Sequence, residues 1–241
     1  MQYREFGKTG EKVSALGFGC MRLPTLGNLT RSIDEPQAVR MIRNGIDNGI
    51  NYIDTAFFYH EGRSEGLVGK ALENGYRNKV LLATKSPFTG FKLGVEFDRI
   101  LDTQLKRLKT DHIDMYLLHA ANLKAWKNSA LKFDLLSKME RAREQGKIRY
   151  IGFSFHDNLD AFMTILNGYD HWDFCQIQYN YVDIDHQAGT KGLEAAAAKG
   201  LGVIVMEPLL GGKLASPTDN VRAALPAGVS PVQAAPVFVW G

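Results

Sequence analysis

Apolar residues in this chain arrive in short unbroken runs, and between the runs they recur every three or four positions. Unbroken runs suit strands buried on both faces, while the wider spacing suits amphipathic helices, so the pattern predicts alternating strands and helices. A hairpin turning at Lys8-Thr9-Gly10 comes first, and Val13 to Met21 reads as a buried strand. Asp34 with Gln37 forms a capping-box start, Pro36 suits a first helical turn, and Ala38, Met41, Ile42 and Ile46 share one face before Gly49. Asn51 to Phe57 is strand-like, Ser64 is placed to cap a helix carrying Leu67, Val68, Ala71 and Leu72, and Val80 to Thr84 is the next strand.

The alternation continues. Phe97, Ile100, Leu101, Leu105 and Leu108 keep helical spacing before the strand Ile113 to Leu118. Leu135, Leu136 and Met139 precede the strand Arg149 to Phe153, and a helix around Phe162 to Leu166 precedes the strand Cys175 to Tyr179. A helix from Lys191 ends at Gly200, Gly202 to Met206 is a seventh core strand, and a Gly- and Pro-rich loop leads to a last amphipathic segment from Ser230, interrupted by Pro236. Units of about 30 residues without a break in composition predict one α/β domain over residues 1–241, a (β/α)8 barrel with an N-terminal β-hairpin that lacks its eighth βα unit. A barrel closes only when its last strand bonds to its first, so the natural protein is expected to continue beyond Gly241. A doubly wound sheet would show GxGxxG after the first strand, and Gly17-Phe18-Gly19-Cys20 does not continue that way.

The composition is that of an ordinary globular protein: of 241 residues, 45% are apolar and 23% charged, which excludes intrinsic disorder as the main state. A net charge of +3 with no basic tract of five or more argues against a nucleic-acid surface. No apolar stretch approaches a membrane span and no signal pattern opens the chain, so a cytoplasmic protein is expected, without membrane or nucleic-acid partners. Cys20 and Cys175 build neither a disulfide framework nor a tetrathiolate site, and read as small buried hydrophobes.

Catalytic groups of parallel barrels sit at the C-terminal ends of strands. The second strand ends at Asp54 and runs on to Tyr59, the third ends at Lys85, and the fourth ends at His119. An ammonium beside a phenol favours the phenolate, so Lys85 is expected to lower the pKa of Tyr59, while a carboxylate holds the ammonium charged and an imidazole offers a directional donor. Such a set can protonate a carbonyl oxygen.

The segments GFGCMRLP, NYIDTAFFYHEGRSEGLVGKAL, TKSP, DHIDMYLLH, RYIGFSF and CQIQYN resemble successive signatures of the aldo-keto reductase family, in its usual order. The resemblance implies a barrel that binds a nicotinamide cofactor without a Rossmann motif, with a catalytic tetrad at Asp54, Tyr59, Lys85 and His119. It implies cofactor contacts at Gly19, Cys20, Met21, Arg22 and Asp54, carboxamide contacts at Ser154 and Gln176, and a pyrophosphate loop through Pro208, Leu209, Gly211 and Lys213. Where many members have Ser-Asn this chain has Ser154-Phe155, leaving one carboxamide bond for a group such as His156, and Glu207 stands where an aromatic often stacks on the ring. His119 to Trp126 looks like a bacterial branch that often carries a cysteine-rich iron–sulfur segment, for which this chain has no cysteines.

The activity implied is reduction of an aldehyde or ketone with NADPH, or NADH, Tyr59 giving the proton. The alternative is a nucleotide-sensing or regulatory subunit of the same fold with little turnover. The expected partner is a small carbonyl compound, and the sequence carries no mark of oligomeric state. Taken singly, Lys85 and Asp54 read equally well as a structural ion pair, and Trp126, Phe57 and Phe58 as pocket walls or core. Arg63 and Glu65 read as a surface pair or as charges on the dipole of their helix, worth a few tenths of a kcal/mol. His60, His112, His171 and His186 carry no motif, the run from Asp183 to His186 reads as a solvated loop, and no metal is assigned.

Overall fold

The structure, a computed structural model, describes residues 1–27 and 29–240; the expected continuation at Gly241 lies outside the described residues. An antiparallel hairpin of β1 (Tyr3–Glu5) and β2 (Lys12–Ser14) precedes a sheet of seven strands. These are β3 (Phe18–Gly19), β4 (Tyr52–Asp54), β5 (Leu81–Ser86), β6 (Ile113–Ala121), β7 (Ile148–Phe155), β8 (Phe174–Gln178) and β9 (Gly202–Met206). All neighbours are parallel and in chain order, as in a barrel wall. The crossovers carry α1 (Glu35–Asp47), α2 (Ser64–Ala71), α3 (Glu96–Leu108), a short α4 (Leu123–Ala125) with α5 (Leu135–Glu144), α6 (Leu159–Asn167) and α7 (Gly189–Ala198). Beyond β9 lie α8 (Asp219–Ala224) and α9 (Pro231–Trp240), the latter running through Pro236, which has no N–H to give back to the carbonyl of Val232. Among the described residues no helix is long and apolar enough to cross a membrane.

The sheet curls because its two faces serve different cores. Along β6, Met115 and Leu117 join an inner cluster with Tyr52, Leu81, Ala83 and Phe174, whereas Tyr116 and Leu118 join the outer layer under the helices. This is the period-two alternation of a strand, with both faces apolar as a parallel sheet requires. The hairpin plugs the bottom of the inner cluster with Phe6 and Val13, and the Phe6 ring lies 5.7 Å from that of Phe174. Two strand glycines make room for this plug: a Cβ on Gly202 would fall 2.5 Å from the Phe6 ring, and one on Gly152 2.6 Å from the Phe174 ring.

Helix starts follow their local chemistry. Asp34 accepts the Gln37 N–H at 3.0 Å and Asn158 the Ala161 N–H at 3.0 Å, each supplying an acceptor for a first-turn amide. Ser64, expected as a cap, is instead the first residue of α2: its hydroxyl donates to the Cys20 carbonyl at 3.0 Å and lies 2.8 Å from the Thr55 hydroxyl, because burial gives it better partners than the helix amides. The run from Val13 to Met21 is two strands, β2 and β3, since Val13 serves the bottom plug and Cys20 the outer layer, and the chain must change course between them.

β3 and β9 are the sheet edges and do not pair with each other. Between them a cavity of about 580 Å³ runs from the hairpin past Tyr52 up to Asp54 and Gln176, flanked by Trp240, whose indole N–H donates to the Ala15 carbonyl at 2.9 Å. An unclosed wall leaves these edges as exposed pairing surfaces.

Because the Phe174 ring is fully buried across Gly152, Gly152→Ala has no space to relax into, and it is expected to lower stability by about 1–3 kcal/mol in denaturant unfolding.

Candidate active site

The upper end of the sheet gathers the four tetrad candidates. Asp54 closes β4, in register with Gly19 on β3 and Ala83 on β5, and Lys85 sits two residues beyond Ala83. Lys85 is 1% exposed, and its ammonium donates to Asp54 Oδ1 at 2.6 Å, the Thr55 carbonyl at 2.8 Å and the Tyr59 hydroxyl at 3.4 Å. Three acceptors match its three N–H groups, so the buried charge is fully satisfied. Asp54 also accepts from Gln176 Nε2 at 3.2 Å.

His119 reaches the group through a bulge. The β6–β7 register shifts between Leu118 and Ala121, and Ala120 adopts φ 52°, a left-handed conformation that costs a non-glycine residue about 1–2 kcal/mol. The Ser154 hydroxyl on β7 accepts the freed Ala120 N–H at 2.8 Å, and the imidazole of His119 stands edge-on to the Tyr59 ring, centroids 5.8 Å apart.

The protonation states follow from this environment. Burial opposes the charge on Lys85, but Asp54 and the Tyr59 hydroxyl outweigh it and hold the ammonium above its usual pKa. Burial and then the Lys85 charge push His119 down to about 3, so near neutral pH it is an uncharged imidazole with one donor and one acceptor. Burial raises the Tyr59 phenol above 10, and the downward pull of Lys85 does not cancel it. Lys85 does lower the phenol's pKa, as expected, but desolvation of the phenolate, with Asp54 adding to it, outweighs that one ammonium. The phenol is therefore un-ionised at neutral pH, and its oxygen accepts from Lys85.

The expected cofactor residues surround this group unevenly. Gly19 is on the wall strand beside Asp54; the Cys20 thiol is fully buried, and the Cys20 N–H is bonded to the Asp54 carbonyl at 2.8 Å. Met21 is exposed, and Arg22 reaches across the mouth to donate to the Gly211 carbonyl at 3.3 Å. Pro208 and Leu209 lead into a turn in which Gly211 and Gly212 take φ 65° and 97°, conformations that favour glycine, and Lys213 is exposed. Among the described residues, Gln176 is buried with its Oε1 unpartnered, and the Ser154 hydroxyl accepts from Ala120 but makes no donor bond. An orphaned carbonyl oxygen and a free hydroxyl hydrogen on adjacent strands match the donor and acceptor of a carboxamide, so the residues present fit a nicotinamide. His156 is solvent-exposed, with its Nδ1 3.5 Å from Gln187 Nε2, and partial desolvation of its ring holds its pKa below the usual value.

Several residues take places that the sequence pattern does not suggest. Glu65 is fully buried rather than paired with Arg63 at the surface: it accepts from Thr84 at 2.8 Å, Gln104 at 2.7 Å and Arg107 at 3.2 Å, and Gln104 also donates to the Lys85 carbonyl at 3.0 Å. Of the two readings left open for Trp126 the core one holds, the ring packing on Trp172, whereas Phe58 beside Tyr59 is exposed and Phe57 lies under the Arg107 guanidinium. His60 is buried and bonded at both ring nitrogens to a distant loop, a contact that no local motif announces.

Comparison with known proteins gives a match to the model of the aldo/keto reductase family over residues 15–229. The chain is similar to an uncharacterized oxidoreductase, YrpG, of Bacillus subtilis, 32% identical over 89% of this chain and 68% of that protein. It is also similar to the aldo-keto reductase YhdN of the same organism, 33% identical over 68% of this chain and 51% of that one, so it spans about half the length of some relatives it matches. Among solved structures it superposes on the holo form of aldo-keto reductase AKR11C1 from Bacillus halodurans with a TM-score of 0.80 and 25% identity, covering 99% of this chain and 82% of the other.

A histidine whose pKa falls from about 6.5 to about 3 on folding binds a proton more readily when unfolded, so its contribution is complete above pH 6.5 and is lost as pH falls toward 3. Between pH 6 and 4 wild-type stability is expected to fall more steeply than that of His119→Gln, by about 1 kcal/mol per pH unit in parallel urea titrations.

Proposed function

The chain belongs to the aldo/keto reductase family of NAD(P)H-dependent oxidoreductases, and from that premise we propose that it reduces the carbonyl of a small aldehyde or ketone to an alcohol, in the cytoplasm, with NADPH as cofactor. The single observation that carries this reading is the Lys85 ammonium, buried and bonded at once to Asp54 and to the Tyr59 hydroxyl. That arrangement leaves an un-ionised phenol aimed away from its own hydrogen-bond donor.

Ser154 and Gln176 would hold the carboxamide, Gly19 to Arg22 would lie beside the ring and ribose, and Pro208, Leu209, Gly211 and Lys213 would take the pyrophosphate. The choice of NADPH over NADH follows the family resemblance. The chemistry a reduced nicotinamide would supply when bound is a hydride for the carbonyl carbon. Tyr59 then gives its proton to the carbonyl oxygen, which becomes the alcohol hydroxyl, and the phenolate left behind is stabilised by Lys85 at hydrogen-bond distance. Asp54 keeps that ammonium charged and in place, and the neutral His119 donates its N–H to the same carbonyl oxygen, orienting it toward Tyr59.

Incubating the protein with NADPH and a panel of aldehydes while following cofactor absorbance tests the reading. Consumption that depends on the aldehyde supports it, and tight binding without consumption points to the sensing subunit instead. Tyr59→Phe removes the proton donor and little ground-state binding, so it is expected to lower kcat by about 10²–10⁴ with cofactor affinity unchanged, read by steady-state kinetics and fluorescence titration.

A further inference from the structure

Immediately after the proposed proton donor the chain does something expensive. His60, Glu61 and Gly62 take φ 51°, 55° and 84°, three successive left-handed residues of which two have side chains. Strain of this kind persists only where the surroundings enforce it. Here it carries the His60 imidazole into a buried position, 8% exposed, against the loop that joins β3 to α1.

Both ring nitrogens are committed to backbone. The Leu23 N–H donates to Nε2 at 3.0 Å, and Nδ1 lies 2.6 Å from the Thr30 carbonyl, which has no hydrogen to give. Nδ1 therefore carries the proton and Nε2 is the acceptor, a single tautomer fixed by its partners. Glu61 adds a second strap, accepting the Thr30 hydroxyl at 2.9 Å.

The attachment points bracket a short stretch. Cys20 is tied to Asp54 and to Ser64, Leu23 is tied to His60, and only Met21 and Arg22 lie between. His60 thus sets where Met21 and Arg22 stand relative to its own neighbour Tyr59. Resting on the reductase reading, we infer that His60 is a positioning residue: its neutral imidazole clips the β3–α1 loop to the Tyr59 turn and fixes the cofactor-side backbone in register with the proton donor.

His60→Gly isolates this role, since glycine adopts the observed φ without strain and leaves an imidazole-sized space. The variant is expected to keep a melting temperature within a few degrees of wild type, to exchange the Leu23 amide about tenfold faster by NMR, and to lose about tenfold in kcat, with free imidazole restoring both the protection and the rate. Unchanged exchange at Leu23 would overturn the clip. Faster exchange with kcat and KM both unchanged would overturn the positioning role, as would a loss of rate that imidazole does not restore. A wild-type protein that consumes no cofactor with any aldehyde sinks the reductase reading alone, because protection of the Leu23 amide is read without substrate and still decides the clip.

Discussion

A lysine ammonium held almost wholly out of water, 1% exposed, is the constraint around which the upper end of this sheet is arranged. Such a charge is tolerated only with a partner of opposite sign and with every N–H accepted. Asp54, the Thr55 carbonyl and the Tyr59 hydroxyl meet that demand, and each is supplied by β4 or the turn that follows it. The pairing of β4 with β5 in register is therefore what makes the site: it sets Asp54 beside Ala83, two residues before Lys85. The same low-dielectric surroundings keep the phenol and the imidazole uncharged, so the site holds one ion pair and two neutral hydrogen-bonding groups.

Strain and hydrogen bonding cooperate around this pair. Ala120 and His60 both occupy left-handed conformations next to tetrad candidates, Ala120 beside His119 and His60 beside Tyr59. Each is compensated by a bond from another element, Ser154 to the Ala120 N–H and His60 to the β3–α1 loop. Beneath them the buried Glu65 gathers Thr84, Gln104 and Arg107, and Gln104 carries the connection on to the carbonyl of Lys85. Geometry at the strand ends is thus fixed from three sides before any ligand arrives.

Much of this was legible in the chain. Parallel strands buried on both faces leave unbroken apolar runs, so IDMYLL and GVIVM announce themselves, and the residues that interrupt such runs at their C-terminal ends, Asp54, Lys85 and His119, stand out by contrast. What was not legible depends on distance in sequence. Glu65, in the first turn of a helix, carries no local sign that Arg107 from α3 will cover it, and His60 finds its partners 37 and 30 residues away. The split of the run from Val13 to Met21 comes from the hairpin and the wall needing different directions, which period alone does not encode. The sign of the phenol shift required the depth of burial, since adjacency to Lys85 by itself argues the other way.

The claim that the Lys85–Asp54 pair is the organising interaction is tested most directly by a double-mutant cycle on stability, using Lys85→Met and Asp54→Leu in urea unfolding. Each single change leaves an uncompensated buried charge, so each is expected to cost about 3–5 kcal/mol, while the double variant, which removes both charges, loses less than either. Additive losses in the double variant would show that the two groups are buried independently and would contradict the account.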